Sequence, residues 1–366
     1  MRQRAIIATV LLGAAVAAQP GWTQDPSRIT DSVFTNPGAR SIGFGSAFAA
    51  IADDATAAFA NPAGLTQILR PEISAEVRTT VSTTDTGAPY ELVNGVSGLG
   101  FFSFVYPSRK WAFALYTHQL GSVDLAFNGA IPFFREFSVR SFSGAAAFQI
   151  GEDLSVGAGV SYFNVDRSSV VESADISDVD WGLNAGILWH VTPEWRIAGF
   201  YRQGPEFKSG PNVDRKIFLD APILSVKNVA DSPNLTFPDE FGLGVAFQPG
   251  GGGLTIGFEL DRVGSAVDPV FLGHTVTEGG PEYHLGVEYA VLRWKPVLAL
   301  RAGYWLEPGR SRTLVIGSEN AMTTTTDSLA HLALGFGFAF KRFQIDAGAD
   351  ISNRAVVASV SIVYSF

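Results

Sequence analysis

Stretch after stretch of this chain alternates apolar and polar residues with a period of two. Beyond its first eighteen residues, no apolar run approaches the ~20 residues that a membrane-crossing helix needs. Trp181, Leu183, Ala185, Ile187 and Trp189 occupy one phase, against Asp180, Gly182, Asn184, Gly186 and His190 on the other. Leu332, Leu334, Phe336, Phe338 and Phe340 likewise oppose His331, Ala333, Gly335, Gly337 and Ala339. One phase suits lipid, and the other is rich in glycine and charge. The chain is also marked for export. Arg2 and Arg4 form a basic start, Ala5 to Ala14 an apolar core, and Ala15-Val16-Ala17 a small-residue cleavage site, so residues 1–18 read as a signal peptide. An exported chain with this pattern spans a membrane only as a closed barrel, because in lipid each backbone polar group must find its partner within the sheet.

The alternating runs predict strands at 71–82, 96–107, 109–120, 136–150, 154–170, 178–192, 195–203, 238–249, 254–263, 282–292, 296–307, 328–340, 342–351 and 354–366. Fourteen is an even count, as single-chain bacterial barrels require. Every second connection is tight: Pro107-Ser108, Gly151-Glu152-Asp153, Thr192-Pro193-Glu194, the Gly250 to Gly253 run, Arg293-Trp294-Lys295 and Lys341-Arg342. The others are mostly long. Short turns on one rim and long loops on the other distinguish periplasmic from extracellular faces, and a soluble sandwich has no reason to sort its loops this way.

Residues 19–70 do not share the alternation. Asp53 or Asp54 can cap a short helix over Ala55 to Ala60, and Asn61 can cap the next, with Pro62 in the first position where its missing N–H costs nothing. A compact, small-residue segment thus precedes the barrel, 71–366, which suggests a plug. The fold class expected is all-β: a fourteen-stranded antiparallel transmembrane barrel with a small helical hatch inside.

The order Gly38-Ala39-Arg40-Ser41, then Ala52-Asp53-Asp54-Ala55, then Asn61-Pro62-Ala63-Gly64-Leu65 resembles the hatch of the FadL-type outer-membrane transporters of long-chain fatty acids and other hydrophobic compounds. It is also similar to the related barrel subunit of type IX secretion systems. The first resemblance implies passive transport in the bacterial outer membrane. A hydrophobic ligand would be captured by extracellular loops, passed to an apolar pocket, and released sideways through a gap in the wall after the hatch rearranges. Gly121 to Pro132 is the candidate for that gap, since Gly121, Gly129 and Pro132 interrupt pairing. The second resemblance implies a docking barrel whose loops hold a protein. The final strand, with apolar or aromatic residues at alternate positions back from Phe366, resembles the signature read by the machinery that inserts outer-membrane barrels.

Enzymatic motifs are absent: there is no Gly-x-Ser-x-Gly, His-Glu-x-x-His, P-loop or complete Gly-x-Gly-x-x-Gly. No cofactor is implied, and the five histidines, at 118, 190, 274, 284 and 331, are too dispersed to suggest a metal site. A formal charge of −9, more negative once Arg2 and Arg4 leave with the signal, argues against nucleic acid as a partner. With no cysteine there is neither a disulfide nor a thiolate site. The inward phase carries Glu76, Arg78, Asp180, Arg196, Arg202, Glu240, Glu259, Asp261, Glu288, Arg301, Asp346 and Asp350. These read first as a self-paired lumen holding the plug, with Arg202 and Arg301 as candidates to receive a ligand carboxylate. Asp53 and Asp54 read as caps and anchors. The glycine pairs Gly157/Gly159, Gly242/Gly244 and Gly335/Gly337 lie on the same phase and are expected to make room for the plug. The longest loop, Gln203 to Phe237, sets Phe207, Phe218 and Ile223 beside Lys208, Arg215 and Lys216, a candidate surface for a molecule with a long apolar tail.

Overall fold

The computed structural model describes residues 35–85, 91–127, 134–169, 176–208, 215–216, 225–226, 234–250, 253–270, 273–316, 319–353 and 355–366. The signal assigned to residues 1–18 lies outside them. The strands are β1 (Glu72–Asp85), β2 (Glu91–Pro107), β3 (Trp111–Phe127), β4 (Phe134–Ile150), β5 (Leu154–Ser169), β6 (Ile176–His190), β7 (Trp195–Arg202), β8 (Glu206–Phe207), β9 (Arg215–Lys216), β10 (Ser225–Val226) and β11 (Leu235–Thr236). They continue as β12 (Glu240–Phe247), β13 (Leu254–Val263), β14 (Ala266–Val270), β15 (Gly273–Thr277), β16 (Gly280–Val291), β17 (Val297–Glu307), β18 (Ser311–Ile316), β19 (Glu319–Thr325), β20 (Leu329–Ala339), β21 (Phe343–Ser352) and β22 (Ala355–Ser365).

Fourteen of these close an antiparallel barrel in the order β1 to β7, β12, β13, β16, β17, β20, β21, β22, with β22 returning to β1 from Glu72↔Ser365 to Ser82↔Ala355. Closure leaves the wall without a free edge, which is what lets strands sit in lipid. The outward phase is apolar and exposed: Leu115, Val160, Leu183, Leu243, Leu285, Leu300, Leu334 and Val360 lie in a band. Phe142, Trp181, Tyr201, Tyr283 and Tyr304 border it on the long-loop side, and Trp111, Trp189, Trp195, Tyr289, Trp294 and Phe366 on the short-turn side. Two aromatic girdles around a lipid-facing band mark the depth at which the barrel sits in a membrane.

Two features depart from the sequence expectation. The strands β1 to β4 run past the bounds set by alternation: β1 continues to Asp85 and pairs it with Glu91 on β2. Backbone pairing persists there although the period-two signal of the sequence has gone. The long loops also contain strands of their own, which form a six-stranded sheet in the order β19-β18-β15-β14-β11-β8 on the long-loop side.

Residues 35–70 fill the barrel. A helix spans Ala39–Gly43, a second Ala57–Ala60, and a 3-10 helix Pro62–Gln67; nearly every residue of all three is buried. The hatch stays close to the wall because the wall presents glycine where it touches. A Cβ on Gly286 would lie 2.1 Å from the Phe44 ring, one on Gly303 2.4 Å from the Gly45 nitrogen, and one on Gly348 2.2 Å from the Ala39 carbonyl. Gly157 meets Pro62, Gly244 meets Ala50, Gly257 meets Phe44 and Ala47, and Gly335 meets Gly43. Only one member of each inward-facing glycine pair does this. Gly159, Gly242 and Gly337 instead make room for the wall side chains Asn184, Asp261 with Phe200, and Asp346. Gly303→Val should force the hatch off the wall at a cost of about 1–3 kcal/mol. The expected result is faster hydrogen exchange of hatch amides in a barrel that still migrates as folded on unheated gels; unchanged hatch exchange would deny the contact.

Candidate functional site

The lumen is divided into two halves, and the hatch is keyed into both. On the side of β12 to β21 the wall turns charge inward. Glu288 on β16 accepts from Arg40 of the hatch through both oxygens at 3.1 Å, and from Arg301 Nε at 2.5 Å; Arg301 Nη1 continues to Asp346 at 2.6 Å. Arg40 also pairs with Asp53 and lies 3.6 Å from Asp54. Burial works against the charge on Arg40, but Asp53, Glu288 and Asp54 outweigh it and hold its pKa well above the usual value. Asp54 is raised by its burial, opposed by Arg40 and by the N–H and hydroxyl of Thr56. Elsewhere the wall grips hatch backbone directly. Glu259 accepts from Ala49 N–H at 2.7 Å, Glu76 from Gly38 N–H at 2.9 Å, and the His284 ring meets the Gly45 carbonyl at 3.0 Å.

The hatch motif closes on itself and on the wall. Asn61 accepts from Ala63 N–H at 3.1 Å, capping the turn that Pro62 opens, and donates to the carbonyls of Ala49 at 3.0 Å and Ile187 at 3.2 Å. Gly64 packs so tightly that a Cβ would lie 2.1 Å from the Ala52 carbonyl. Asn61, Pro62, Ala63 and Gly64 therefore hold the plug's shape, with Asn61 also bonded to the wall at Ile187; Asp53 and Asp54 instead pair with Arg40 inside the hatch, and the helix expected over Ala55 to Ala60 starts at Ala57 with Thr56 at its N-cap.

Arg202 stands at the junction of the two halves. Its guanidinium donates to Glu240 at 2.7 Å, to the Asn36 side chain at 2.9 Å and to the Ala60 carbonyl at 3.2 Å, and it lies over the rings of Phe200 and Phe59, 4.2 and 4.7 Å from their centroids. Both arginines thus join wall carboxylates to the plug region, with Arg301 reaching Arg40 through Glu288. Arg202→Ala would leave Glu240 buried without its cation, a loss of about 3–5 kcal/mol for a broken buried pair. Hydrogen exchange should show hatch amides opening far more readily, with the ladder from β2 to β5 unchanged; equal hatch protection in the variant would contradict the anchoring role.

The apolar half was not legible as a site in the sequence. Phe101, Leu120, Val139, Phe163, Val165 and Phe200 turn inward from β2 to β7 and form one buried cluster with Phe59 of the hatch. Their phase is that of the small polar residues Ser141, Ser143 and Ser161 lower on the same strands, a signal that attention to charges alone passes over. Phe207 is buried against Phe237, with ring centroids 5.9 Å apart, so its ring packs the base of the loop sheet and is not an exposed capture surface. Phe218 and Ile223 lie outside the described residues.

Next to the apolar half, the wall's ladder lapses. Pairing between β2 and β3 runs from Pro107↔Ala112 to Phe101↔His118, stops, and resumes only at Asn94↔Leu125. Residues 95–100 face 119–124 with no ladder partner across that seam, although β1 still pairs with β2 and β3 with β4. Each flanking strand carries an irregularity there: Gly100 is the extra residue against β1, and Leu120 the extra residue against β4. Bulges bend a strand and increase its twist, which is how two neighbours part without breaking their outer pairings. The opening expected from Gly121 to Pro132 is therefore displaced toward β2, because β3 and β4 stay paired from Gly121 to Ala126; Gly129 and Pro132 lie outside the described residues.

On the short-turn side of the hatch, a cavity of about 350 Å³ is lined by Arg40, Asp53, Asp54, Glu72, Glu288, Arg301, Lys341 and Arg342, among others. It suits water and ions, not an apolar solute.

No family model and no curated relative matches the sequence. Solved structures do. The chain is similar to a Pseudomonas aeruginosa FadL homologue at 14% identity, covering 90% of this chain and 98% of that one with a TM-score of 0.63. It is similar to the Ralstonia pickettii toluene transporter TbuX at 15% identity, over 91% and 99% of the two chains, with a TM-score of 0.66. A structure of the Pseudomonas putida toluene transporter TodX matches at 14% identity over 95% and 99%, with a TM-score of 0.58. With its plugged, closed fourteen-stranded wall, the chain has the fold of the FadL-type outer-membrane transporters.

Proposed function

We propose that this barrel transports hydrophobic small molecules passively, long-chain fatty acids or compounds of similar character, and releases them sideways into the membrane. The observation that carries the reading is the unpaired seam between β2 and β3 beside an apolar lumen wall, in a barrel whose axial path is filled by the hatch. An apolar solute descending through the charged cavity below would lose the benefit of burial, roughly 25 cal/mol for each Å² it re-exposes. The seam offers lipid instead. The loop from Gln203 to Phe237, with Phe218 and Ile223, is proposed as the capturing surface, and Arg202 and Arg301 as anchors of the hatch. A solute driven only by its own gradient needs neither a cofactor nor a catalytic step.

Protein docking is the second reading, favoured by one observation: β19 lies at the edge of the loop sheet with all seven residues exposed, open to pairing with another strand. Uptake of radiolabelled toluene or palmitate by cells producing the protein separates the two. Transport predicts saturable uptake above that of cells carrying an empty vector. No saturable uptake of either compound, together with co-purification of an exported protein through the loops, would replace the transport reading with the docking one.

A further inference from the structure

We propose that His118 is the hydrogen-bonding contact for a solute on its way to the β2–β3 seam, and that the channel consequently favours apolar molecules carrying a hydroxyl group. The inference rests on the proposed transport function and adds the class of solute to it.

His118 lies on β3 opposite Phe101, at the last paired rung before the seam opens. Its side chain points into the apolar half of the lumen and is 1% exposed. Neither Nδ1 nor Nε2 has a hydrogen-bond partner among the described residues. The ring is surrounded by other rings: Phe59 of the hatch meets it edge-on at 4.4 Å between centroids, and Phe101 at 5.9 Å. A buried polar group without a partner is costly and calls for an explanation. The other lumen histidines near the hatch do not share this condition. His284 and His331 each leave Nε2 without a hydrogen bond but satisfy Nδ1, through the Gly45 carbonyl and Asp350 respectively, both at 3.0 Å, whereas His118 satisfies neither nitrogen.

The cover over His118 is not part of the wall. Phe59 belongs to the four-residue helix Ala57–Ala60, and displacing that helix would uncover the imidazole at the cost of the Asn184–Ala58 and Arg202–Ala60 hydrogen bonds, without breaking a barrel ladder. The uncovered group is specific in what it can accept. A neutral imidazole offers one donor and one acceptor. A hydroxyl supplies the complement of both, a carboxylate supplies only acceptors, and a hydrocarbon supplies neither. Three guanidiniums lie near the ring and each already has acceptors: Arg202 is matched by Glu240, Arg78 by Glu76, and Arg140 donates to the Gln119 side chain at 3.2 Å and to the Leu99 carbonyl.

The test uses p-cresol and p-xylene, which differ by a hydroxyl in place of a methyl, on the full-length protein in detergent-free nanodiscs. The ratio of their affinities is compared between the wild type and His118→Phe, so that the cost of desolvating the hydroxyl cancels. The expected result is a fall of about tenfold in the preference for p-cresol, with p-xylene binding retained. An unchanged ratio would overturn the assignment while leaving transport intact. If neither compound binds the wild type, the transport reading fails and takes this inference with it. Should His118→Phe not assemble, ¹⁵N-histidine spectra of the wild type decide: saturating p-cresol, and not p-xylene, must shift the His118 ring nitrogens, and no shift overturns the proposal.

Discussion

Deleting residues 35–69 should leave a barrel that inserts and folds but conducts ions in planar bilayers, where the intact chain is closed. The wall does not depend on the hatch for its ladders: β1 pairs with β2 and β22 along its length, and the fourteen strands close without a contribution from residues 35–70. What the hatch supplies is volume. Gly157, Gly186, Gly244, Gly257, Gly286, Gly303, Gly335 and Gly348 all approach it, so at these positions its removal leaves nothing from the wall to fill the space. A fourteen-stranded barrel is wide enough for such a lumen to fill with water. The carboxylates that now grip the hatch, Glu76, Glu259 and Glu288 among them, would then face that water and favour cations. Single-channel recording checks this. Steps of conductance, cation-selective and absent from the intact protein, are expected; a truncated barrel as silent as the full one would mean that something other than the hatch closes the pore.

Much of the wall could be read from sequence because lipid on one side and a packed lumen on the other impose a strict period of two. The fourteen barrel strands and the tight turns at Gly151, Pro193 and Lys341 follow from that constraint alone. The same constraint fails where either environment changes. Above the membrane, Thr83, Thr84 and Asp85 still pair but no longer alternate, and the strands of the loop sheet carry no comparable signal. The candidate site was harder still. Arg202 and Arg301 stand out in sequence as charges on an apolar scaffold, yet their partners Asn36, Ala60, Glu288 and Asp346 come from distant segments that only the closed barrel brings together. The seam is a property of two ladders at once. Gly100 and Leu120 do not look unusual in their own strands; what matters is that one extra residue on each side falls at the same height. His118 was visible only as one of five scattered histidines, since an unpaired imidazole is defined by neighbours the sequence does not name.

Sealing the seam should abolish passage of the solute. The chain has no cysteine, so Gly98→Cys with Gln119→Cys introduces the sole thiol pair, one on each side of the opening. A Cβ at Gly98 would lie 3.6 Å from the Gln119 amide oxygen, which puts both new side chains within the span of a short thiol-cleavable bifunctional reagent. The hatch, the aromatic cluster of the apolar half and the loop from Gln203 to Phe237 are untouched by these changes. If hydrophobic solutes leave between β2 and β3, uptake of radiolabelled toluene by cells carrying the cross-linked protein should fall to the empty-vector level and return when the linker is reduced, while each single substitution treated with the same reagent transports normally. Undiminished uptake with the linker demonstrably in place on both strands would contradict a lateral route and return the path to the hatch itself.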